Sequence, residues 1–274
     1  MIGQRLAESL GQPFVVVNQP GAGGIAGTLV VTQAPADGYT LLVSDMSQVV
    51  INPFLFSKLP YDPVKDLAPV SLVATIPLYF VVQPGKGIDT LPDLVKMAKA
   101  KPGDLSYGSA GIGSIHHIVM ESFRTAANLS IVHVPYKGSG QSTSGFLSGQ
   151  VPVLVSGLSA IAPHVKSGKG KLIAVTSGRR SGQTPEVPAI SETVPGFDFS
   201  SEFGFLATAG TPPEILAKLS NEIAKALKAP GTMDRLGPMG MEAVGSSPAE
   251  YAENIRRNLE RFAQAVKISG AKAD

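Results

Sequence analysis

The sequence predicts an α/β protein built from two lobes, and three observations carry that expectation. Short apolar runs suited to buried strands alternate with segments of helical periodicity along most of the chain. The length, 274 residues, has room for about two domains at ~150 residues each. Glycine (30) and proline (22) are frequent, which implies many turns between short elements, yet stays below the ~25–30% of low-complexity chains.

The elements follow in order. Ile2, Leu6 and Leu10 recur every fourth residue, so 1–10 reads as a helix that Gly11 stops. Phe14–Val17 reads as a buried strand. A glycine-rich turn over 18–24 leads to a helix over 25–33, and Asp37-Gly38 turns the chain into a strand over 40–44. Residues 52–63 contain Pro53, Pro60 and Pro63 and read as a loop. A strand over 70–82 and a helix over 91–100 complete the first block, with Lys101-Pro102-Gly103 as the break.

The second block repeats the style without repeating the sequence. Strands are expected at 105–108, 131–134, 151–155 and 172–176, and helices at 114–127, 140–147 and 159–165. After a proline-rich loop comes a strand over 203–207. The remainder is helical: 212–227 opens on proline and carries Ile215, Leu219, Ile223 and Leu227 on one face. Ser247-Pro248-Ala249-Glu250 is a capping box opening a helix to 268. The alternation argues for parallel strands. Two crossings, near 102–104 and 200–210, make the first lobe discontinuous: 1–103 with 209–274, and 104–208 as the second lobe.

Composition excludes several function classes. Net charge is +2 and charged residues are 16%, too weak a bias for nucleic acid or a membrane surface. There is no cysteine, which removes disulfides, thiol catalysis and zinc–thiolate sites. The longest apolar stretch, 70–82, is interrupted by Ser, Thr and Pro and falls short of the ~18 residues of a membrane span. No signal-peptide apolar core is visible in residues 1–12.

Two glycine-rich loops are the candidate sites. Gly21-Ala-Gly23-Gly24-Ile-Ala26 fits G-x-G-x-x-A between a strand and a helix, and Asp45 ends the next strand, where a ribose-binding acid would sit. That pattern supports a nucleotide-dependent oxidoreductase. Against it, Asn18-Gln19-Pro20 separates strand from glycines, so the turn is not tight; a loop for another anion, or a plain turn, fits better. The second loop, Ser109-Ala110-Gly111-Ile112-Gly113-Ser114, opens a helix with Ser114 at the N-cap, leaving N–H groups to face an anion. It lacks the lysine of a Walker loop and is no G-x-S-x-G elbow. His116 and His117 are adjacent and leave a helix about 100° apart, a poor metal pair. Residues 122–185 contain no Asp or Glu but seven Lys and Arg, a bias that would draw anions.

With those loops laid out, the chain resembles the substrate-binding receptors of tripartite tricarboxylate transporters, the Bug receptors. The matching stretches run in family order from end to end: Leu10-Gly-Gln-Pro13, Asn18–Gly24, Pro35–Leu42, Ile51-Asn-Pro53, Leu59–Asp66, Tyr107–Ser114 with His117, His133-Val-Pro-Tyr-Lys-Gly138 and Ala209-Gly-Thr-Pro-Pro213. The resemblance implies a two-lobe periplasmic-binding-protein fold of the Venus-flytrap type, type II. It implies a periplasmic, non-enzymatic monomer without cofactor or metal. Such a receptor captures a small organic carboxylate, a di- or tricarboxylate or an aromatic acid, and delivers it to the membrane components of the transporter.

The site residues expected on this basis are Gly21, Gly23, Gly24 and Ser47 from the first lobe. The second supplies Ser109, Ala110, Gly111, Gly113, Ser114 and Ser156. Two departures matter. Family members begin with a signal peptide, a first strand and a first glycine-rich loop, whereas this chain opens inside the following helix; the expectation is a shortened, weakly binding form. Ser156 also stands where amino-acid binders carry an acid, which speaks for a ligand without an amine. A transcription-regulator effector domain shares the two-lobe fold, but no helix-turn-helix precedes Phe14.

Overall fold

The computed structural model describes residues 1–19 and 22–273. In chain order the elements are α1 (Ile2–Leu10), α2 (Ile25–Thr32), β1 (Leu41–Ser44), a π-helical turn (Ser47–Ile51) running into α3 (Asn52–Leu55), β2 (Leu67–Val82) and α4 (Leu91–Ala100). Then come β3 (Ser106–Ser109), α5 (Ile115–Ala126), β4 (Val132–Pro135), α6 (Ser139–Leu147), β5 (Val153–Gly157), α7 (Leu158–Lys166) and β6 (Lys171–Val175). The last are β7 (Ser200–Thr208), α8 (Pro213–Lys228), α9 (Thr232–Leu236), β8 (Glu242–Ala243) and α10 (Pro248–Ser269).

These elements divide into two compact units, Met1–Thr75 with Glu202–Gln264, and Ile76–Ser201 with Ala265–Ala273. The divisions fall inside β2, β7 and α10, whereas the sequence reading placed them at 103/104 and 208/209. A strand or helix running through a boundary shows no change of composition there, whereas glycine and proline breaks mark loops.

In the first unit β7 lies between β1 and β2, and β8 pairs antiparallel with β2 at Ala74 and Thr75. The stripe Leu219, Ile223 and Leu227 of α8 packs with Leu6 of α1, Val70 of β2 and Ala207 of β7. Each such side chain contributes ~1.5–3 kcal/mol when fully buried. The expected strand at 14–17 does not form. Val15, Val16 and Val17 are 80%, 81% and 71% exposed, and β1 pairs only with β7 among the described residues. Apolar, β-branched residues favour extended backbone, but a strand also needs a neighbour for its N–H and C=O groups.

In the second unit β3 lies between β5 and β4, parallel to both, while β2 runs antiparallel to β5 and β6. The parallel layer is therefore confined to three strands. Tyr79 and Val81 of β2, Phe146 of α6, Leu154 of β5, Ile161 of α7 and Val175 of β6 form its core.

Candidate functional site

Strands β3, β5 and β4 end at Ser109, Gly157 and Pro135, and each feeds a helix: α5, α7 and α6. Because the strands are parallel, three helix N-termini meet one edge of the sheet. That is the edge where open parallel sheets take ligands, and helix N-termini bring partial positive charge to it. Tyr136 N–H donates to Ser109 O (3.1 Å) and Gly138 N–H to Ala110 O (3.1 Å), tying the β3 and β4 loops together.

The loop from Ser109 to Ser114 is held from inside. Ser109 Oγ accepts the Gly111 N–H (3.1 Å), and Gly113 N–H donates to His117 Nδ1 (3.2 Å). Ser114 is the N-cap as expected: its Oγ accepts the His117 N–H (3.3 Å) and donates to Gly111 O (2.7 Å). Gly111 has φ +126, and an added Cβ would lie 3.0 Å from Tyr136 O; only glycine fits there. The N–H groups of Gly111 and Gly113, expected to face a ligand, are thus spent inside the loop. Among the described residues those of Ala110, Ile112, Ile115 and His116 have no acceptor. They are the donors left for an anion. Lys137, exposed beside the stitched loops and in no ion pair among the described residues, was not singled out from the sequence; its place in the His133–Gly138 motif was the available signal.

Beneath the loop lies a stack of rings. His117 and His133 are parallel with centroids 4.0 Å apart, and Tyr107 stacks on the other side of His133 at 4.9 Å. His133 Nε2 and Ser109 Oγ share a 2.6 Å hydrogen bond. Tyr107 OH donates to Glu121 Oε1 (2.8 Å), and Arg124 Nη2 pairs with Glu121 Oε2 (2.7 Å). Burial, then the neighbouring His117, pushes His133 down to about 4. Burial lowers His117 too, against the opposing pull of Glu121. Tyr107 is raised by burial first and by Glu121 next. His116, the residue before His117 on α5, is pushed to about 4 by burial, and its buried Nδ1 has no partner among the described residues. The rings of His117 and His133 serve packing and hydrogen bonding here, and no group of three metal-ligating side chains occurs among the described residues.

Ser156, near the end of β5, is 1% exposed, with its Oγ 3.4 Å from Gly157 O. It sits at the same strand edge as Ser109 but is covered in this structure.

In the first unit, Gly23 and Gly24 lie in a short turn leading into α2, both with positive φ (+63 and +84). Gly23 O accepts from Asn52 Nδ2 (3.0 Å) and Gln48 Nε2 (3.3 Å), and Tyr61 OH donates to Gln48 O (2.7 Å). Asn52 and Tyr61, which the sequence places in a loop, are buried and anchor this brace from below, while Gly23 at its other end is exposed. Gly21 lies outside the described residues. Ser47 opens the π-helical turn after Met46, a non-glycine residue at φ +73. Such backbone persists only where its surroundings hold it, and Met46 is buried with Sδ accepting from Tyr251 OH (3.8 Å). Asp45 Oδ1 accepts the Ser47 N–H (3.0 Å), so the acid expected at a ribose caps a turn instead. An open depression of about 450 Å³ bounded by Leu72, Ser246, Glu250, Asn254 and Arg257 also lies in this unit. It contains none of the expected residues.

Solved structures share this architecture. BugD, described as a periplasmic binding protein, is 26% identical with a TM-score of 0.80, covering 99% of this chain and 91% of that one. The Rhodopseudomonas palustris protein Rpa4515, solved with adipate, is 31% identical with a TM-score of 0.85 (98% and 90% covered). MatC from the same organism, solved with malate, is 27% identical with a TM-score of 0.79 (97% and 92%). The fold is the two-lobe α/β fold of periplasmic solute-binding proteins. Among curated relatives, BugT of Bordetella pertussis is 34% identical over 274 residues, 99% of this chain and 84% of that protein. Residues 1–270 match the family described as tripartite tricarboxylate transporter family receptor, TctC, and the chain belongs to that family. Its members are receptors rather than enzymes, which overturns the oxidoreductase reading of Gly21–Ala26.

Proposed function

We propose that this receptor binds a small organic carboxylate lacking an amine and passes it to the membrane components of a tripartite tricarboxylate-type transporter, acting in the periplasm as a monomer without a cofactor. The observation that carries this reading is the set of unspent N–H groups at Ala110, Ile112, Ile115 and His116 on a sheet edge that three helices reach. One carboxylate belongs there, with Ser109, Gly111, Gly113 and Ser114 shaping the loop. The two units act as the lobes. Gly21, Gly23, Gly24 and Ser47 form the first-lobe side, and Ser156 belongs to the second-lobe wall. The adipate and malate of the two neighbours make aliphatic dicarboxylates the first candidates. Lys137 is available to the second carboxylate.

A thermal-shift panel tests this with adipate, malate, glutarate, glutamate, citrate, benzoate and NAD. A true ligand at ~100 times its Kd stabilises by roughly 2.7 kcal/mol. A shift with glutarate exceeding that with glutamate is the expected result. Stronger binding of glutamate overturns the amine argument, and a panel in which no carboxylate shifts the transition overturns the ligand class.

A further inference from the structure

His117 and His133 make contacts that packing alone does not require. His117 Nδ1 accepts the Gly113 N–H, and the backbone N–H of the same residue is held by Ser114 Oγ, so one residue ties two points of the loop. His133 Nε2 meets Ser109 Oγ at the other end of it. The two rings lie face to face at 4.0 Å, a spacing at which two imidazolium ions oppose each other strongly.

We infer that His117 and His133 are positioning residues of the carboxylate loop, working as unprotonated imidazoles: His117 holds Gly113 through a bare Nδ1, His133 holds Ser109, and protonation of His117 releases the loop. An imidazolium has no lone pair at Nδ1, so Gly113 N–H would face a second donor and the turn before α5 would lose that tie. His133 can keep Ser109 in either state, because Nε2 accepts from or donates to the hydroxyl. Its contribution is to set the cost of a charge on the ring beside it. The other groups around the pair are Glu121 and Arg124 from α5 and Tyr107 from β3. Glu121 is already engaged by Arg124 and Tyr107, which leaves its carboxylate little freedom to turn toward an imidazolium. Burial disfavours the cation further.

As far as it concerns carboxylate affinity, this rests on the proposed function; the loop geometry does not. The experiment therefore reads both. In the full chain labelled with 15N, the ring nitrogens of His117 and the amide exchange of Gly113 are followed from pH 7.5 to 4.5. The same samples are titrated with adipate and malate. Gly113 should be protected at pH 7.5 and lose at least tenfold of that protection with the midpoint at which Nδ1 of His117 protonates. Affinity for whichever dicarboxylate binds should fall at least tenfold with the same midpoint. His117→Asn, whose Oδ1 can accept the Gly113 N–H but does not titrate, should keep affinity within about threefold at pH 7.5 and lose the acid dependence. His117→Ala should lose tenfold or more at every pH.

Gly113 protection that ignores the His117 titration overturns the inference, as does an acid dependence that survives in His117→Asn. If neither dicarboxylate binds at pH 7.5, the adipate and malate candidates fail, while the Gly113 exchange still decides the role of the ring. Should His117→Ala fail to fold, the asparagine variant and the wild-type titration carry the test.

Discussion

Ser114→Ala removes a cap whose two bonds can be costed separately. The backbone at Ser114 is extended (φ −64, ψ 154) and its Oγ accepts from His117 N–H, the third donor of α5. Alanine leaves that donor unsatisfied, which costs ~1 kcal/mol in typical caps. The same hydroxyl donates to Gly111 O at 2.7 Å. Gly111 O keeps the Ser114 N–H at 3.2 Å, so this second loss is that of an ordinary hydrogen bond with a satisfied acceptor, ~0.5–1 kcal/mol. The sum is ~1.5–2 kcal/mol, or about 3–8 °C in Tm at ~2–4 °C per kcal/mol for a chain this long. Urea denaturation gives the free energy, and Ser114→Thr, which keeps both bonds, should stay near wild type. The His117 amide should exchange faster in Ser114→Ala and be unchanged in the threonine variant. Stability of Ser114→Ala within the ~0.5 kcal/mol of an ordinary surface substitution would refute the reasoning, because neither bond would then contribute in solution.

Asn52→Ala removes the 3.0 Å donor of Gly23 O, which keeps Gln48 Nε2 at 3.3 Å; urea denaturation should show the loss of an ordinary hydrogen bond, ~0.5–1.5 kcal/mol, and faster exchange of amides in the 22–25 turn should accompany it. At Gly204 an added Cβ would run into the fully buried ring of Tyr251, so Gly204→Ala should cost ~1–3 kcal/mol by overpacking, read from Tm; an unchanged Tm contradicts that packing. Stability should fall on acidification from about pH 6.5 toward about 4. His116 and His133 titrate near 4 when folded but near 6.5 when unfolded, so in that window the unfolded chain takes up protons that the folded chain refuses. Each contributes a slope approaching ~1.4 kcal/mol per pH unit, and equal stability at pH 7 and pH 5 would count against both.

Much of the local structure was legible because its causes are local. Ser114 caps α5 through His117 N–H, Ser247 and Glu250 cap each other's backbone at the start of α10, and the Leu219, Ile223, Leu227 stripe of α8 faces the core. Each depends on residues within one or two turns, so spacing alone determines it. The ordered run of family motifs is likewise a property of the sequence, and it points to the receptor family without reference to the fold. The expected strand at 14–17 shows the limit: its residues favour extended backbone, yet a ladder needs a partner strand that local pattern does not supply. The antiparallel entry of β2 beside parallel β5 and the division of the chain inside strands also follow from pairing between distant segments. Within the candidate site, the sequence determined that glycines and a serine cap would shape a loop at a helix start. Only the tertiary structure decided which donors remain for a ligand, because Gly113 N–H goes to a ring one turn into the helix, and that ring is stacked against His133 from another strand. Hydrogen bonds are allotted by where groups end up in space, and a donor that one neighbour takes is no longer available to a ligand.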